Sequence, residues 1–417
     1  MSVYQWFVGM VRRVFVPGAM LTSAAMAGAA EPSREECPET TRVTAAKPVM
    51  MAPADMRAGQ FVYTLDNDAA HNGVAVYRRQ ENGSLMMVSG SPFQTGGKGL
   101  SGGDIDEQGA IRIAGKFVLA VNPGSDSIAV FQKSGNGLLH VEGSPFASNG
   151  STPLSIAVHG DLVYVANQSA DFAKPKFLPN ITGFRLTSNG QLQPIPKSTI
   201  NLPAGAGPAQ VEFNPQGTAL AITSGFQVDG GKASKVWTFR VEKDGRLASG
   251  AGSPVMPEGA TGTVGFSWSQ GGDHLFASVF SGSGVVPFAV DPVTAAIKQA
   301  GPNVGDDQRA ACWTVLSRDG RTLYVGNFVS NSISVYDVDS QQKLALLGSI
   351  PRRGATNKDT KDITLSGDGK YLYAIGSGER QISIFKVETN RLLTELPPGQ
   401  SPVMIPTGQN TTGLTAE

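Results

Sequence analysis

The chain has 417 residues, a mass of 43.5 kDa, and 34 basic against 34 acidic side chains, so its formal net charge is zero. Without surplus lysine and arginine to neutralise phosphates, nucleic-acid binding is disfavoured, and 40% hydrophobic residues disfavour a disordered chain. Two cysteines exclude a disulfide-rich scaffold, and the four histidines follow no metal-ligand spacing, so no metal or other cofactor is predicted.

Residues 1–30 have the features of a secretory signal. Arg12-Arg13 precede an apolar run, Val14–Met26, which ends in small residues typical of a cleavage site. The pair and its flanks resemble a twin-arginine signal, and ordinary Sec export stays open. The run is shorter than the ~20 residues of a membrane span and contains Pro17. We therefore expect a periplasmic or secreted protein with no membrane span after the signal is removed.

Residues 31–58 contain four prolines, scattered charges and no apolar periodicity, which indicates a linker before a folded domain at 59–417. Cys37 lies in this linker and Cys312 lies deep in the domain. No feature of the sequence supports a disulfide between them.

One β-strand pattern recurs seven times in this domain. The seven copies share an apolar, strand-like run whose starting points are 45 to 57 residues apart. They are Phe61–Leu65, Phe117–Val121, Leu162–Ala166, Ala219–Thr223, His274–Ser278, Thr322–Gly326 and Tyr371–Ile375. Repeats of this length and strand content are typical of β-propeller blades.

Each copy continues in the same way, with a second strand, then a tight turn in the first four copies, then a third strand. The turns contain Asn82-Gly83, Asn136-Gly137, Asn189-Gly190 and Asp244-Gly245. These pairs tolerate the positive φ angles of two-residue hairpins. A further apolar run precedes most copies, which gives four antiparallel strands in each. We predict an all-β fold, a seven-bladed β-propeller of four-stranded blades.

The first copy has only linker before it, and the last is followed by a spare segment, residues 410–416. We predict that this segment pairs in the first blade as its inner strand and closes the ring. Closure removes an open sheet edge that would otherwise favour aggregation.

These repeats resemble the lactonase-like seven-bladed propellers, which include bacterial 6-phosphogluconolactonases and fungal carboxymuconate-lactonising enzymes. The resemblance covers residues 60–417 and implies a hydrolase or cycloisomerase of carbohydrate or carboxylate metabolism. It also implies a Gly-Pro-Arg-His element that enters an inner strand. Here that element is Gly207-Pro208-Ala209-Gln210, so alanine replaces the arginine and glutamine replaces the histidine. Gln210 can donate hydrogen bonds, but it cannot act as a base.

Repeat register predicts which residues line the channel mouth, the face at which the loops into the inner strands emerge. Of the pairs that match Ala209-Gln210, only Lys361-Asp362 is charged. The hypothesis is that Asp362 acts as a base or as a hydrogen-bond acceptor, Lys361 binds an anionic group of the substrate, Trp313 forms an apolar wall and Arg309 adds an anion contact. The structural alternative is that Lys361 and Asp362 are a solvated pair or connect neighbouring blades.

Other candidates carry a structural and a functional interpretation side by side. Cys312, beside Trp313, could be a nucleophile or a substrate contact, but no histidine lies near it in the sequence, which favours a buried, inert thiol. The acidic groups Asp66 and Asp68 with His71, and Asp104, Asp106 and Glu107, fit turn formation or Ca²⁺ binding. The long loops 167–180 and 224–235 could cover the channel.

Two functions remain open at this stage. The chain is either an enzyme that opens or closes the ring of a lactone or cyclic carboxylate, or a non-catalytic propeller. The expected partner is a small anionic or lactone ligand, and a protein bound at the mouth face is the alternative. The replaced arginine and histidine favour the non-catalytic propeller. The charged pair favours the enzyme.

Overall fold

The computed structural model describes residues 60–100, 108–135, 137–169, 178–226, 234–355, 359–406, 408 and 411–417. The predicted signal and linker, residues 1–58, lie outside these ranges. The described residues form seven antiparallel sheets, which confirms the seven-bladed propeller. Apart from strands and turns, the described residues include one short 3₁₀ turn, Pro123–Ser125.

The strands run in chain order from blade to blade. Blades 1 to 3 contain β1 (Phe61–Leu65), β2 (Gly73–Arg79), β3 (Leu85–Met87) and β4 (Phe93–Gln94); β5 (Ile111–Ala114), β6 (Phe117–Asn122), β7 (Ser127–Ser134), β8 (Gly137–His140) and β9 (Phe146–Ala147); β10 (Pro153–His159), β11 (Leu162–Asn167), β12 (Asn180–Leu186), β13 (Leu192–Pro194) and β14 (Ile200–Asn201). Blades 4 and 5 contain β15 (Gly207–Phe213), β16 (Ala219–Phe226), β17 (Lys235–Val241) and β18 (Leu247–Ser249); β19 (Thr261–Trp268), β20 (His274–Ser281), β21 (Gly284–Val290), β22 (Ile297–Gln299) and β23 (Val304–Gly305). Blades 6 and 7 contain β24 (Ala311–Leu316), β25 (Thr322–Asn327), β26 (Ser332–Val338) and β27 (Leu344–Pro351); β28 (Thr360–Leu365), β29 (Tyr371–Gly376), β30 (Gln381–Val387), β31 (Leu393–Glu395) and β32 (Val403–Met404); β33 (Thr412–Ala416) then completes blade 1.

The outermost strand is interrupted in five blades, which the sequence pattern of four strands did not indicate. In blade 1, β3 pairs with one end of β2 and β4 pairs with the other end. The Ser91-Pro92 turn separates the two pieces, because proline cannot donate a hydrogen bond to the sheet. Blade 6 lacks such a turn, and its outermost strand β27 is continuous.

The ring closes as predicted. β33 pairs antiparallel with β1, with Tyr63 opposite Thr415 and Thr64 opposite Leu414. The strand begins at Thr412, two residues later than the predicted segment, and Asn410 lies outside the described residues. The last residue joins three blades: the Glu417 amide donates to Phe61, its carbonyl accepts from the Gly367 amide, and its carboxylate lies 2.5 Å from the Lys133 ammonium.

The inner strands surround a common axis in the order β33, β5, β10, β15, β19, β24, β28, and each contacts the next. The interblade hydrogen bonds join equivalent positions, so the strands run in the same direction. Ser155 bonds to Val211, and Gln210 bonds to Phe266, in both cases 56 residues further on. The face at which these strands begin is called the mouth face below, and the face at which they end is the far face.

Valine, isoleucine and tyrosine of the repeated strands form the core between blades. Tyr164 and Tyr324 occupy the same position in two repeats, and both rings are buried. The Tyr164 hydroxyl donates to the Gly245 carbonyl at 2.7 Å, and Tyr324 donates to Arg391 at 3.2 Å. Each bond reaches a turn of the following blade. The repeated tyrosine therefore fills the interface and holds adjacent blades together.

No helix in the described part of the chain is both long enough and apolar enough to cross a membrane.

Candidate functional site

In blades 3 to 7 the inner strands are bulged at the positions that match Ala209-Gln210, where repeat register predicts the channel mouth; in blade 1 the bulge is at Gly413, next to the predicted Thr411-Thr412 region. In six blades, the pairing between the inner strand and its neighbour shifts register. The shifts fall at Leu154, Pro208-Ala209, Val264-Gly265, Cys312, Lys361-Asp362 and Gly413. A bulge turns side chains out of the regular ladder and is common beside active sites. These residues therefore share a backbone irregularity as well as a repeat position.

A bulge leaves backbone groups without a ladder partner, and the neighbouring blades supply the partners here. The Gln210 side chain donates from Nε2 to the Phe266 carbonyl at 3.1 Å and accepts from the Phe266 amide at 2.6 Å. Both polar ends of Gln210 are thus engaged with the next inner strand. Gln210, which replaces the histidine implied by the family resemblance, connects blades 4 and 5.

Gln108 makes the same pair of bonds across the channel. It comes directly before β5 in blade 2, yet its side chain donates to the Thr314 carbonyl at 2.7 Å and accepts from the Thr314 amide at 3.1 Å. Thr314 belongs to blade 6. The close approach requires a glycine at position 265, where a Cβ atom would lie 2.7 Å from the Gln108 Oε1 atom. Gln108 therefore crosses the channel and connects blade 2 to blade 6.

Asp362 is a buried carboxyl group at the centre of the ring. Its Oδ2 atom accepts the Leu414 amide at 2.9 Å, which joins blade 7 to the closing strand of blade 1. Its Oδ1 atom is buried without a hydrogen bond among the described residues. Burial raises the pKa of Asp362 to about 6, and the Arg112 charge and nearby backbone amides oppose this rise. The carboxyl group can therefore exchange a proton near neutral pH.

Lys361 is also buried, with only 2% of its surface exposed. Its ammonium group lies 5.1 Å from the centre of the Phe328 ring and 5.9 Å from the centre of the Trp313 ring. Both distances are within the range of cation–π attraction. The structure therefore brings Lys361 and Trp313 together, and the burial of Lys361 and Asp362 shows that they are not the solvated pair considered as an alternative from the sequence.

The remaining predicted site residues differ in exposure. Trp313 is fully buried, and beside it Cys312 is also buried, with its carbonyl accepting a hydrogen bond from the Ser278 hydroxyl. Arg309 is exposed, and its backbone amide donates to Ser330 at 2.8 Å. The group thus consists of an enclosed cluster and one exposed arginine in the preceding loop.

The first acidic group acts in turns. The Asp66 carboxylate accepts the amides of Gly73 and Asp68, and the Asp68 carboxylate accepts the amides of Ala70 and His71. This agrees with the turn interpretation. Among the described residues, no cluster of three or more His, Cys, Asp or Glu side chains is arranged to hold a metal ion. Asp104, Asp106 and Glu107 lie outside the described residues, as do positions 170–177 and 227–233 of the two long loops.

A cavity of about 270 Å³ opens beside Gln108. Its polar lining includes Arg112 on β5 and Glu212 on β15, whose charged groups are 2.5 Å apart, and Ser267 on β19. Burial raises the pKa of Glu212, and Arg112 opposes the rise. Sequence reasoning missed this cavity because it considered only the mouth face. A charged residue within each of two otherwise apolar inner strands was the available signal.

Comparisons with known proteins agree with the architecture. The family described as "Lactonase, 7-bladed beta-propeller" matches residues 56–174 and 179–406. No curated protein matches the chain.

Three solved structures show the same fold. A putative 6-phosphogluconolactonase from Bacteroides uniformis is 18% identical with a TM-score of 0.66, over 86% of this chain and 99% of that one. The periplasmic gluconolactonase of Pseudomonas aeruginosa is 16% identical with a TM-score of 0.64, over 85% and 99%. A protein from Lactobacillus plantarum is 18% identical with a TM-score of 0.65, over 86% and 99%.

Proposed function

Because this chain belongs to the seven-bladed lactonase propellers, we propose that it is an exported hydrolase that opens the ring of a lactone, with Asp362 as the general base. The observation that carries this proposal is a buried carboxyl group in the ring centre with a pKa of about 6 and an Oδ1 atom that makes no hydrogen bond among the described residues. A base with a pKa near the working pH transfers protons most effectively. The relatives named as gluconolactonases favour a sugar lactone as substrate.

The proposed reaction uses one water molecule. Asp362 removes a proton from the water, whose oxygen forms a bond to the carbonyl carbon of the lactone. The bond between that carbon and the ring oxygen then breaks, and the proton on Asp362 passes to the departing oxygen. The product is an open-chain hydroxy acid, and Asp362 returns to its ionised form.

The other predicted residues have supporting roles in this proposal. Lys361 places a positive charge beside the bulge, where it would stabilise the developing oxyanion or bind an anionic group of the substrate. Trp313 and Cys312 would form the apolar wall next to it. Arg309, in its exposed position, would attract an anionic substrate towards the mouth face. Gln210 would act as a positioning residue, because its amide group is already bonded to Phe266.

The test is hydrolysis of a panel of five- and six-membered sugar lactones, corrected for their spontaneous hydrolysis. Asp362→Asn should lower kcat/KM by about 10²–10⁴-fold, the usual contribution of a general base. Asp306→Asn is the matched control: Asp306 is also buried, but its carboxylate bonds to Ser334 and the Gln308 amide. Equal turnover by the wild type and Asp362→Asn would remove Asp362 from the mechanism.

The pH dependence provides a second prediction. A general base acts in its ionised form, so kcat/KM should fall tenfold per pH unit below about pH 6 and level off above it. The initial rate should be measured between pH 4.5 and 7.5, where spontaneous lactone hydrolysis is slow enough to subtract. A profile that is flat across pH 6 would contradict the assignment.

A second function, a non-catalytic ligand-binding propeller, is favoured by one observation. The residue in place of the family's histidine is Gln210, and both ends of its amide are bonded to backbone. This function predicts that the lactone panel raises the melting temperature of the protein without being hydrolysed.

Export is tested separately. Expression of the full chain in a bacterial host should give a periplasmic protein whose N-terminus, measured by mass spectrometry, lies near residue 31. A cytoplasmic, uncleaved product would contradict export.

A further inference from the structure

The cavity beside Gln108 shares Gln210 with the predicted site, but its lining does not include the residues proposed to act on the lactone. Asp362, Lys361, Trp313 and Cys312 do not line it. It lies among the last residues of the inner strands, as the presence of Pro215 and Leu316 in its lining indicates. Its volume of about 270 Å³ is close to the lower end of the range for small-molecule pockets.

An ion pair forms one wall of the cavity. Arg112 Nη2 is 2.5 Å from Glu212 Oε2, and Arg112 Nε donates to the Ile156 carbonyl at 3.0 Å, so the guanidinium is held in place from two directions. The side chains remain 20% and 28% exposed. A buried ion pair is weak evidence for stability, since apolar residues often serve equally well. The ion pair has no net charge. It presents a hydrogen-bond donor, Arg112, and a hydrogen-bond acceptor, Glu212, side by side in the cavity wall.

Hydroxyl groups form another part of the wall. Ser267 Oγ and Thr314 Oγ1 are 2.8 Å apart, and Thr364 also lines the cavity. A hydroxyl group both donates and accepts hydrogen bonds. The cavity therefore presents donors and acceptors of moderate strength in addition to the ion pair.

The rest of the lining is apolar. Trp268 and Phe213 contribute aromatic surface, and Leu316, Val315 and Leu414 contribute aliphatic surface. The Trp268 indole is fixed by its hydrogen bond to the Glu212 carbonyl at 3.3 Å. A ligand with an apolar ring face and hydroxyl groups at its edge would match both parts of this lining.

We propose that this cavity binds a neutral, polyhydroxylated molecule of the size of one sugar ring. Each ligand hydroxyl can accept from Arg112 and donate to Glu212, while the carbon–hydrogen face of the ring packs on Trp268. Because Arg112 is already paired with Glu212, a carboxylate ligand would gain no net charge attraction to offset the loss of its own hydration. A purely apolar ligand would leave the polar groups without partners.

The experiment is isothermal titration calorimetry of the full mature protein at pH 7. The probes are the methyl pyranosides of glucose, galactose and mannose, with D-gluconate as the charged comparison. At least one neutral pyranoside should bind at millimolar concentration or below, and more tightly than gluconate. The proposal is overturned if no pyranoside binds or if gluconate binds equally well.

Substitutions in the cavity lining test whether the pyranoside binds there. Glu212→Gln should weaken binding at least tenfold, and Ser267→Ala should weaken it about threefold. Glu242→Gln is the matched control, because Glu242 pairs with Arg240 on the protein surface, and it should bind as the wild type does. If Glu212→Gln fails to fold, as judged by circular dichroism, Ser267→Ala decides. Unchanged pyranoside affinity in both cavity variants overturns the proposal. If Glu212→Gln does not fold, unchanged affinity in Ser267→Ala alone overturns it.

The result is independent of the proposed lactone hydrolysis. Asp362→Asn should lose turnover and keep pyranoside binding, whereas Ser267→Ala, which removes no charge, should bind pyranosides more weakly and keep turnover; Glu212→Gln is used for binding only, because Glu212 is the partner of Arg112, whose charge acts on Asp362. Failure of one proposal is therefore recognisable without the other.

Discussion

Asp362 combines a structural contact and a chemical one in a single carboxyl group. Its Oδ2 atom bonds to the backbone of the closing strand, which is the blade-connecting role considered as the alternative from the sequence. Its Oδ1 atom and its pKa of about 6 are the features that suit a base. The buried carboxyl group therefore predicts opposite effects for Asp362→Asn: its activity should fall, and its stability at neutral pH should not.

The pH dependence of stability follows from the raised pKa. Between about pH 4 and pH 6 the folded protein holds the Asp362 proton more tightly than the unfolded chain does, so the contribution of Asp362 to the free energy of unfolding falls as the pH rises through this range. A rise in pKa from 3.8 to about 6 corresponds to about 3 kcal/mol. In Asp362→Asn the free energy of unfolding should therefore lack this decrease between about pH 4 and pH 6. At pH 7 the variant should be at least as stable as the wild type.

Urea unfolding followed at several pH values between 4 and 7.5 checks this prediction. Asp306→Asn again serves as the buried control and should retain the wild-type slope. Parallel curves for the wild type and Asp362→Asn would show that the carboxyl group is not the source of the pH dependence.

At the scale of a strand, the bulges explain why predicted mouth residues are bonded to backbone. Each bulge frees amide and carbonyl groups on an inner strand, and these groups must find partners because they are buried. Gln210, Asp362 and Gln108 supply side-chain partners from other blades. A bulge thus has two effects. It turns a side chain towards the channel, and it leaves backbone amide and carbonyl groups that form hydrogen bonds with side chains there.

Gly265 lies at such a bulge and provides a prediction for this scale. A Cβ atom there would lie 2.6 Å from the Cys312 carbonyl oxygen and 2.9 Å from Trp313 Cα, so backbone would have to move. Gly265→Ala should lower the free energy of unfolding by about 1–3 kcal/mol, the usual effect of overpacking.

Gly305→Ala is the control for this change. Its Cβ atom would have a single ordinary contact, at 3.7 Å from the Ser283 carbonyl, and its backbone needs no left-handed conformation. Denaturant unfolding of both variants should show a clear difference. Equal stability would mean that the inner strands are less tightly packed than the distances indicate.

At the scale of the whole molecule, the C-terminus decides whether the ring is closed. β33 supplies the inner strand of blade 1, and the Arg79 guanidinium and Asp368 carboxylate connect blades 1 and 7 through two hydrogen bonds of 2.8 and 2.7 Å. Without β33, the Phe61–Leu65 strand would present an open edge on the channel side. Such edges pair with other chains.

Deletion of residues 412–417 should therefore lower the melting temperature by more than 10 °C or yield aggregated protein, because it removes a whole strand and exposes a sheet edge. Glu417→Gln, which keeps the backbone bonds and removes only the ion pair with Lys133, should change stability by less than about 1 kcal/mol. Calorimetry and size-exclusion chromatography of the two variants measure the contrast. A monomeric deletion variant with wild-type stability would contradict the closure role of β33.

The amino-acid sequence alone determined the number of blades, the starting points of the repeated strands and the closure by the C-terminal segment. These features depend on alternating apolar residues and on turn residues, which act over a few neighbouring positions. Tyr164 and Tyr324 illustrate this, since their repeat position alone places them between blades. In blades 3 to 7 the bulges fall at the positions that repeat register assigned to the channel mouth, because these blades are built in the same way.

Only the tertiary structure decided which side chains meet inside the ring. Gln108 and Thr314 are 206 residues apart, and Arg112 and Glu212 are 100 residues apart. No local pattern pairs them, because their contact depends on the ring diameter and on the depth of each inner strand. For the same reason the sequence could name Gln210 and Asp362 as facing the channel, but not which of their polar atoms the neighbouring blades already bind.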